Sequence, residues 1–167
     1  YTGDTAEYTL TSSAVQGSCV IIPVNFRKLN GKTVSVTDVY TDEYFLIQYD
    51  TMEKNMKDVL YFGEDSGIRI LHIDAETLAD PYGTVSFKYD GYSPLYDTSH
   101  NGRRILRLVN DDNGYFHEGD TIDGSTAGFA WYDSNGKETI DPGITITVGA
   151  DGKVTIAELS LCLFPQS

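Results

Sequence analysis

Cysteine is scarce in this sequence, which has Cys19 and Cys162 alone among 167 residues. Cys19 lies in an early predicted strand and Cys162 in the last one. A disulfide between them would close a long loop, and two buried free thiols are the equal alternative. Folding buries about two thirds of the unfolded surface of a chain of this length. A full hydrophobic core can therefore form without support from disulfides or metals.

Positive charge is also in short supply. The chain has 12 Lys and Arg residues against 25 Asp and Glu residues, which gives a net charge of −13. Binding to a nucleic-acid backbone needs a basic surface, and anionic membrane surfaces attract basic segments. We therefore expect no nucleic-acid partner. No apolar run reaches about eighteen residues, so we expect no membrane insertion.

Motifs of common catalytic chemistry are absent. The sequence has no Gly-x-Ser-x-Gly elbow, no His-Glu-x-x-His, no phosphate-binding loop and no Cys-x-x-Cys. The histidines His72, His100 and His117 lie in different predicted elements. The chain also lacks N-glycosylation sequons, which disfavours an N-glycosylated eukaryotic ectodomain. The sequence thus predicts no enzyme, and a glycan-active enzyme whose site forms only in three dimensions is the weakest alternative.

The clearest structural signal is present near the end of the chain, in residues 124–165. Turn signals at 133–136 and 149–152 contain Asn-Gly and Asp-Gly pairs, which tolerate the positive φ angles of tight hairpins. Apolar and β-branched residues alternate between these turns. The alternation slips just before the last strand, so the sequence predicts a β-bulge near Ala157 and Glu158.

Upstream residues predict further strands by their alternating apolar pattern. Pro23 removes a backbone donor, so its strand is expected at a sheet edge or bulge. The segment 5–11 is predicted to be an edge strand, held by the strand of Cys19 or by a neighbouring subunit. A single helical turn is predicted at 74–79. The predicted strands cover 5–11, 18–26, 32–40, 43–49, 67–73, 84–89 and 103–109.

One segment, 51–60, has helical rather than strand periodicity. Asp50 and Glu53 resemble a capping box at its start. We expect a helix of about two to three turns here that covers an open edge or end of the sheets. Core contact is the simpler interpretation of its apolar face, and a binding groove is the alternative. That face consists of Met52, Met56, Val59 and Leu60.

These signals together predict the fold. We expect residues 1–167 to form one all-β domain, because no linker or repeat divides the chain. The predicted architecture is an antiparallel two-sheet β-sandwich, of jelly-roll or immunoglobulin-like type. Turn spacing suggests about nine to eleven strands, with one short helix near 51–60.

The predicted ligand-binding surface combines a long irregular loop at 90–102 with neighbouring aromatic and basic residues. Aromatic rings stack on sugars or partner side chains, and arginine supplies directed donors for hydroxyls or carboxylates. The alternative is that Trp131 lies in the core and the tyrosines pack at strand ends. The candidate binding residues are Tyr89, Tyr92, Tyr96, Arg103, Arg104, Trp131 and Tyr132.

An acidic loop provides a candidate metal site. Asp111, Asp112, Glu118 and Asp120 concentrate oxygen ligands of the kind that calcium prefers, although their spacing matches no EF-hand. The alternative is a solvated acidic loop without a metal. Apart from this calcium, we expect no cofactor.

Function is predicted only at the level of a class. We expect a non-enzymatic recognition or attachment module that binds a glycan or a protein receptor, located outside the cell or on the surface of a particle or cell. The alternative is a self-associating assembly subunit, such as the protruding domain of a virus capsid or a subunit of an extracellular filament or adhesin. Fold-level analogy supports both classes equally.

Overall fold

The computed structural model describes residues 1, 3–30, 32, 42–53, 66–79, 81–83, 85–89, 103–110 and 114–159. This part of the chain is mostly β-structure with two one-turn helices. In chain order, the elements are β1 (Ala6–Thr9), α1 (Ser13–Gln16), β2 (Cys19–Pro23), α2 (Phe26–Leu29), β3 (Glu43–Asp50), β4 (Gly67–Asp74), β5 (Thr77–Ala79), β6 (Val85–Phe87), β7 (Leu106–Leu108), β8 (Thr121–Ile122), β9 (Trp131–Tyr132), β10 (Glu138–Ile140), β11 (Ile144–Val148) and β12 (Lys153–Glu158).

The described strands form four antiparallel sheets. The two larger sheets have the orders β1-β12-β11-β8 and β2-β3-β4-β7, and the two smaller ones are the pairs β9–β10 and β5–β6. The predicted all-β, antiparallel class is therefore confirmed. No described helix is both long and apolar enough to cross a membrane.

Both four-stranded sheets contribute to one hydrophobic cluster. Ile22, Ile47 and Ile70 come from the first three strands of one sheet, and Ile146 and Ile156 come from the centre of the other. All five side chains are fully buried. Burial of one such side chain contributes about 1.5 to 3 kcal/mol to the free energy of unfolding. This shared core positions the smaller sheets and the polar cluster described below.

The two predicted turns are confirmed. Residues 133–136 connect β9 to β10, and residues 149–152 connect β11 to β12. Asp151 and Gly152 have φ angles of 52° and 77°, as a tight hairpin with an Asp-Gly turn requires. The predicted bulge is wrong, because β11 and β12 stay in regular register as far as Glu158. β12 ends at Glu158, and the apolar residues Leu161 and Leu163 after it lie outside the described residues.

The second turn supplies a test of close packing. A Cβ atom on Gly152 would lie 2.5 Å from the Leu10 carbonyl oxygen, whereas a Cβ on Gly119, which also has positive φ, meets no atom within 4 Å. We expect Gly152→Ala to lower the free energy of unfolding by about 3 kcal/mol and Gly119→Ala by about 1 kcal/mol. Urea denaturation of both variants measures the difference. Equal losses would show that the Leu10 contact is not tight.

Among the described strands, the first strand lies at a sheet edge, as predicted. The strand of Cys19 is not its partner, and pairing with a neighbouring subunit stays a prediction. β1 pairs with β12, with Ala6 opposite Ile156 and Tyr8 opposite Val154. The pattern of the short strand identifies an edge, but nothing in it specifies which distant strand it joins. Among the described strands, β2 is terminal in its sheet, which agrees with the edge position predicted from Pro23.

Other predicted boundaries change. Pro23 ends β2, and Phe26–Leu29 forms a helical turn where the sequence predicted continued strand. The helical turn predicted at 74–79 is wrong, because Thr77–Ala79 is β5 and pairs with β6. Pairing with a neighbouring strand thus overrides a weak local helical preference in this short segment.

Several predictions fall outside the described residues. These are the strand at 32–40, apart from residue 32, and most of the helix at 51–60, of which the described residues 51–53 are not helical. Cys162 also lies outside. Cys19 carries an exposed free thiol, which contradicts the alternative of a buried thiol at this cysteine. Its exposure follows from its place at the start of the edge strand β2.

Candidate functional site

The β5–β6 hairpin carries the most exposed apolar surface of the described residues. Tyr82 in its connecting turn is 94% exposed, and Val85 and Phe87 in β6 are 63% and 45% exposed. The alternating pattern of the predicted strand 84–89 would place Val85, Phe87 and Tyr89 on one common face. The structure instead leaves the first two exposed and buries Tyr89, because the chain leaves the strand after Phe87.

A charged contact closes the base of this hairpin. The backbone N–H of Lys88 donates to the Glu76 carbonyl at 2.8 Å, and the Lys88 ammonium lies 2.8 Å from Glu76 Oε1. The Tyr89 hydroxyl donates to Glu76 Oε2 at 3.3 Å. The Glu76 hydrogen bond raises the pKa of Lys88 above its usual value. The two ends of the hairpin are therefore held together by both backbone and side-chain contacts.

Arg103 lies beneath the hairpin base between two aromatic rings. Its guanidinium carbon is 4.7 Å from the centre of the Tyr89 ring and 5.0 Å from that of Tyr132. Its Nε lies 2.9 Å from Asp74 Oδ2, and its Nη1 donates to the Tyr89 hydroxyl at 2.8 Å. A guanidinium held by an ion pair and by two cation–π contacts is well fixed in position.

Asp74 is the carboxylate of this cluster with the most altered pKa. Burial raises its pKa to about 6, and the charge of Arg103 offsets part of that rise. Because the folded-state pKa is raised, protonated Asp74 favours folding. This contribution is lost as the pH rises through about 6. At neutral pH the buried Asp74 carboxylate is ionised, which lowers the free energy of unfolding, and its attraction to Arg103 makes this loss smaller.

His72 joins the cluster to the β9–β10 hairpin. Its Nε2 lies 2.7 Å from Glu43 Oε1, and its Nδ1 lies 3.1 Å from Glu138 Oε1. The imidazole stacks on Tyr132 at a ring distance of 4.7 Å and also contacts Phe45. Glu43 Oε1 also accepts a hydrogen bond from the Tyr132 backbone N–H at 2.8 Å. A single carboxylate oxygen of β3 therefore contacts both β4 and β9.

The structure brings some predicted binding residues together but does not expose them. Tyr89, Trp131 and Tyr132 are 2%, 4% and 5% exposed. Arg103 lies between the two tyrosines, and Arg104 beside it is exposed. The Trp131 ring packs 4.2 Å from Phe45 in the core, as the structural alternative expected. Tyr92 and Tyr96 lie outside the described residues.

Sequence reasoning missed the acidic members of this cluster, although the sequence contains a signal for part of it. In β4, residues Ile68, Ile70, His72 and Asp74 alternate with less buried residues and all point inward. Two ionisable side chains in phase with the buried isoleucines therefore predict a buried polar network, since each needs a partner. Glu43 and Glu138 have no comparable signal, because acidic residues are abundant in this chain.

The predicted calcium ligands lie partly outside the described residues. Asp111 and Asp112 are not described, while Glu118 and Asp120 are exposed. The Asp120 carboxylate accepts a hydrogen bond from the His117 backbone N–H at 2.7 Å, which is a turn contact. Within the described ranges, no three His, Cys, Asp or Glu side chains group closely enough to hold a metal ion. The calcium site stays a prediction.

A small cleft lies apart from the charged cluster. It has a volume of about 150 Å³ and is bordered by the start of β4, residues 116–118 and the 149–152 turn. Pockets that enclose small organic ligands are usually about 300 to 1,000 Å³. The cleft is therefore too small to be favoured as the functional site.

Comparisons of the chain with protein-family models, curated proteins and solved structures found no match. Function must therefore be inferred from the geometry of the described residues. Two features stand out: the exposed apolar surface of the β5–β6 hairpin and the buried charged cluster around His72 and Arg103. The first is accessible to a partner, and the second is enclosed by protein.

Proposed function

We propose that this domain is a non-enzymatic recognition or attachment module, displayed outside the cell or on the surface of a particle or cell. In this proposal it binds a protein receptor through the β5–β6 hairpin. The main observation that supports this proposal is that Tyr82, Val85 and Phe87 are exposed on one short hairpin of a strongly acidic chain. Exposed apolar groups with aromatic members are typical of protein-binding surfaces.

The hairpin geometry favours an extended peptide segment as the bound part of the receptor. Within the described residues, β5 and β6 pair only with each other, so each has an outer edge that can accept another strand. Main-chain hydrogen bonds supply affinity in such complexes, and alternating side chains supply specificity. The net charge of −13 favours a receptor segment that carries Lys or Arg.

The buried cluster supports a non-enzymatic role. His72 with Glu43 is a titratable pair in hydrogen-bond contact. Both side chains are buried within the fold, and a catalytic acid or base must reach the reacting atoms of its substrate. The same groups instead connect three strands. Shifted pKa values occur in structural ion networks as well as in active sites, so the raised pKa of His72 does not by itself indicate catalysis.

We further place this module in the two-sheet sandwich class, of jelly-roll or immunoglobulin-like type. The support is the single hydrophobic cluster that the two four-stranded sheets share. Face-to-face packing of two antiparallel sheets buries one face of each in this way. The hairpin would then project from the end of β4 at one end of the sandwich.

A selection experiment tests the receptor proposal. A random peptide library displayed on phage is selected on the whole domain, with counter-selection on a Val85→Thr, Phe87→Ser double variant. We expect enriched peptides with alternating apolar residues and Lys or Arg. They should bind the double variant at least about tenfold more weakly, as expected when a central aromatic contact is lost.

A matched control uses Ile140→Ser, because Ile140 is 48% exposed on β10 and so resembles Phe87 in exposure. This variant should retain all of the peptide binding. Enrichment of no peptide, or equal binding by the double variant, would contradict the proposal. Capture of the domain by a glycan array instead of by peptides would replace the protein receptor with a carbohydrate.

The edge strand β1 keeps the assembly alternative open. Among the described strands it is terminal in its sheet, with β12 on one side, and such edges can pair with another copy of the chain. Sedimentation velocity of the whole chain separates the two functions. A monomer at all concentrations supports the receptor module, and a concentration-dependent oligomer abolished by Glu7→Pro would support an assembly subunit.

A further inference from the structure

We propose that His72 is a proton-sensitive link that fastens the β9–β10 hairpin to the β2-β3-β4-β7 sheet, so that this attachment tightens as the pH falls. This role is independent of the receptor proposal, because it concerns a buried contact rather than the exposed hairpin. The link consists of His72 on β4, Glu43 on β3 and Glu138 on β10. Its geometry supports the assignment in three steps.

The first step is the pairing of both imidazole nitrogens. Nε2 faces Glu43 Oε1 at 2.7 Å and Nδ1 faces Glu138 Oε1 at 3.1 Å. A neutral imidazole has one N–H and can donate to only one carboxylate. The other nitrogen would then direct its lone pair at a carboxylate oxygen. A doubly protonated ring satisfies both contacts, so the arrangement fits a cluster that holds the extra proton.

The second step is the charge around the ring. Glu43 and Glu138 face it from β3 and β10, and Arg107 lies opposite it on β7 and forms an ion pair with Glu138 Oε2 at 3.1 Å. Arg103 lies 3.6 Å from the other oxygen of Glu43. Tyr132 covers one face of the ring. Among the described residues, the wider network has four carboxylates, those of Glu43, Asp74, Glu76 and Glu138, and three other cationic side chains, those of Lys88, Arg103 and Arg107. The two carboxylates in direct contact with His72 therefore favour its protonated form.

The third step is the direction of the titration. Burial lowers the pKa of His72, but the hydrogen bonds that the ring donates to Glu138 and Glu43, together with the attraction of their charges, more than offset this and leave the pKa above its usual value. A histidine with a raised folded-state pKa stabilises the fold fully below its unfolded pKa of about 6.5. That stabilisation is lost as the pH rises through the folded-state value. The contacts of His72 with Glu43 and Glu138 are therefore strongest in mild acid and become weaker in alkali.

The structural consequence falls on β9. Glu43 Oε1 accepts hydrogen bonds from both His72 and the Tyr132 backbone N–H. Neutral His72 can donate to only one of its two carboxylates, so loss of the extra proton weakens the contacts that hold β9 and β10 to β4. We therefore expect the Tyr132 amide to open more often at high pH, while amides within β11 remain closed.

NMR spectroscopy of the whole chain tests this link. The His72 imidazole signals, assigned through its backbone, should titrate with a midpoint above about 6.5. Glu138→Gln should lower that midpoint by about one unit, because it removes a charge within contact distance. Glu7→Gln is the matched control, since Glu7 is exposed on β1 in the other large sheet, and it should leave the midpoint unchanged.

Hydrogen exchange gives the second readout. After correction for intrinsic exchange rates, protection of the Tyr132 amide should fall from pH 6 to pH 9, because the stabilisation by protonated His72 is lost as the pH rises through its folded-state pKa. Protection of Ile146 on β11 should not change. A His72 midpoint at or below 6.5, or an unchanged midpoint in Glu138→Gln, would overturn the proposal even if peptide binding by the hairpin is confirmed.

Discussion

Glu43→Ala is expected to lower the free energy of unfolding by about 3 to 5 kcal/mol, the usual cost of removing one partner from a buried ion pair. Glu43 Oε1 accepts hydrogen bonds from His72 and from the Tyr132 backbone, and Oε2 faces Arg103. The substitution therefore leaves two buried donors and the half-buried Arg103 without this carboxylate. Urea denaturation at pH 6, followed by the fluorescence of Trp131, measures the loss.

The control for this substitution is Glu158→Ala. Glu158 forms an ion pair with Arg27 at 3.2 Å, but both side chains are substantially exposed. Exposed ion pairs typically contribute less than about 1 kcal/mol. A loss of under 1 kcal/mol for Glu43→Ala, comparable with that of Glu158→Ala, would mean that the buried cluster does not hold the strands together.

Trp131→Ala is the second substitution with a large expected effect. The indole is 4% exposed and packs against Phe45, which is itself fully buried. Truncation of a buried aromatic side chain to alanine costs about 3 to 5 kcal/mol. Thermal unfolding followed by circular dichroism should therefore show a clear drop in the melting temperature. The substitution removes the fluorescent probe, so a backbone signal is needed.

Tyr82→Ala provides the contrast, because Tyr82 is almost fully exposed. Its melting temperature should match that of the unchanged chain, because substitutions at exposed positions usually change the free energy of unfolding by less than about 0.5 kcal/mol. If Trp131→Ala were as stable as Tyr82→Ala, then Trp131 would not be a core residue. The original prediction of Trp131 as a ligand-contacting residue would then be favoured.

The turns and the sheet edges are the parts of the fold that the sequence predicts well. An Asp-Gly or Asn-Gly pair specifies its own backbone geometry, so residues 133–136 and 149–152 are found by local chemistry alone. Pro23 identifies an edge strand for the same kind of reason, because its missing N–H is a local property. Long-range pairing has no such signal, so the sequence does not identify β12 as the partner of β1.

The candidate site shows the same division. Residue types brought Arg103, Tyr89 and Tyr132 into one predicted group, and the structure places them in contact. Their burial could not be predicted, because an aromatic ring after a loop is equally compatible with the core and the surface. By contrast, the alternation of Ile70, His72 and Asp74 in β4 predicts a buried polar network from the local sequence pattern alone.

The hairpin surface was missed for a different reason. The alternation of Val85, Phe87 and Tyr89 predicts one common face, and a common apolar face is usually buried. The pairing of β6 with β5 alone, within the described residues, leaves Val85 and Phe87 exposed. Burial of an alternating face depends on a second layer, and the sequence of a single strand does not reveal whether that layer exists.

The affinity of a selected peptide for three forms of the domain tests the central claim most directly. The dissociation constant is measured by fluorescence anisotropy for the unchanged chain, Phe87→Ser and Ile140→Ser. The receptor proposal predicts at least about tenfold weaker binding for Phe87→Ser alone, with a free energy of unfolding within about 0.5 kcal/mol of the unchanged chain. Equal affinity for all three forms would contradict the claim that the β5–β6 hairpin is the recognition surface.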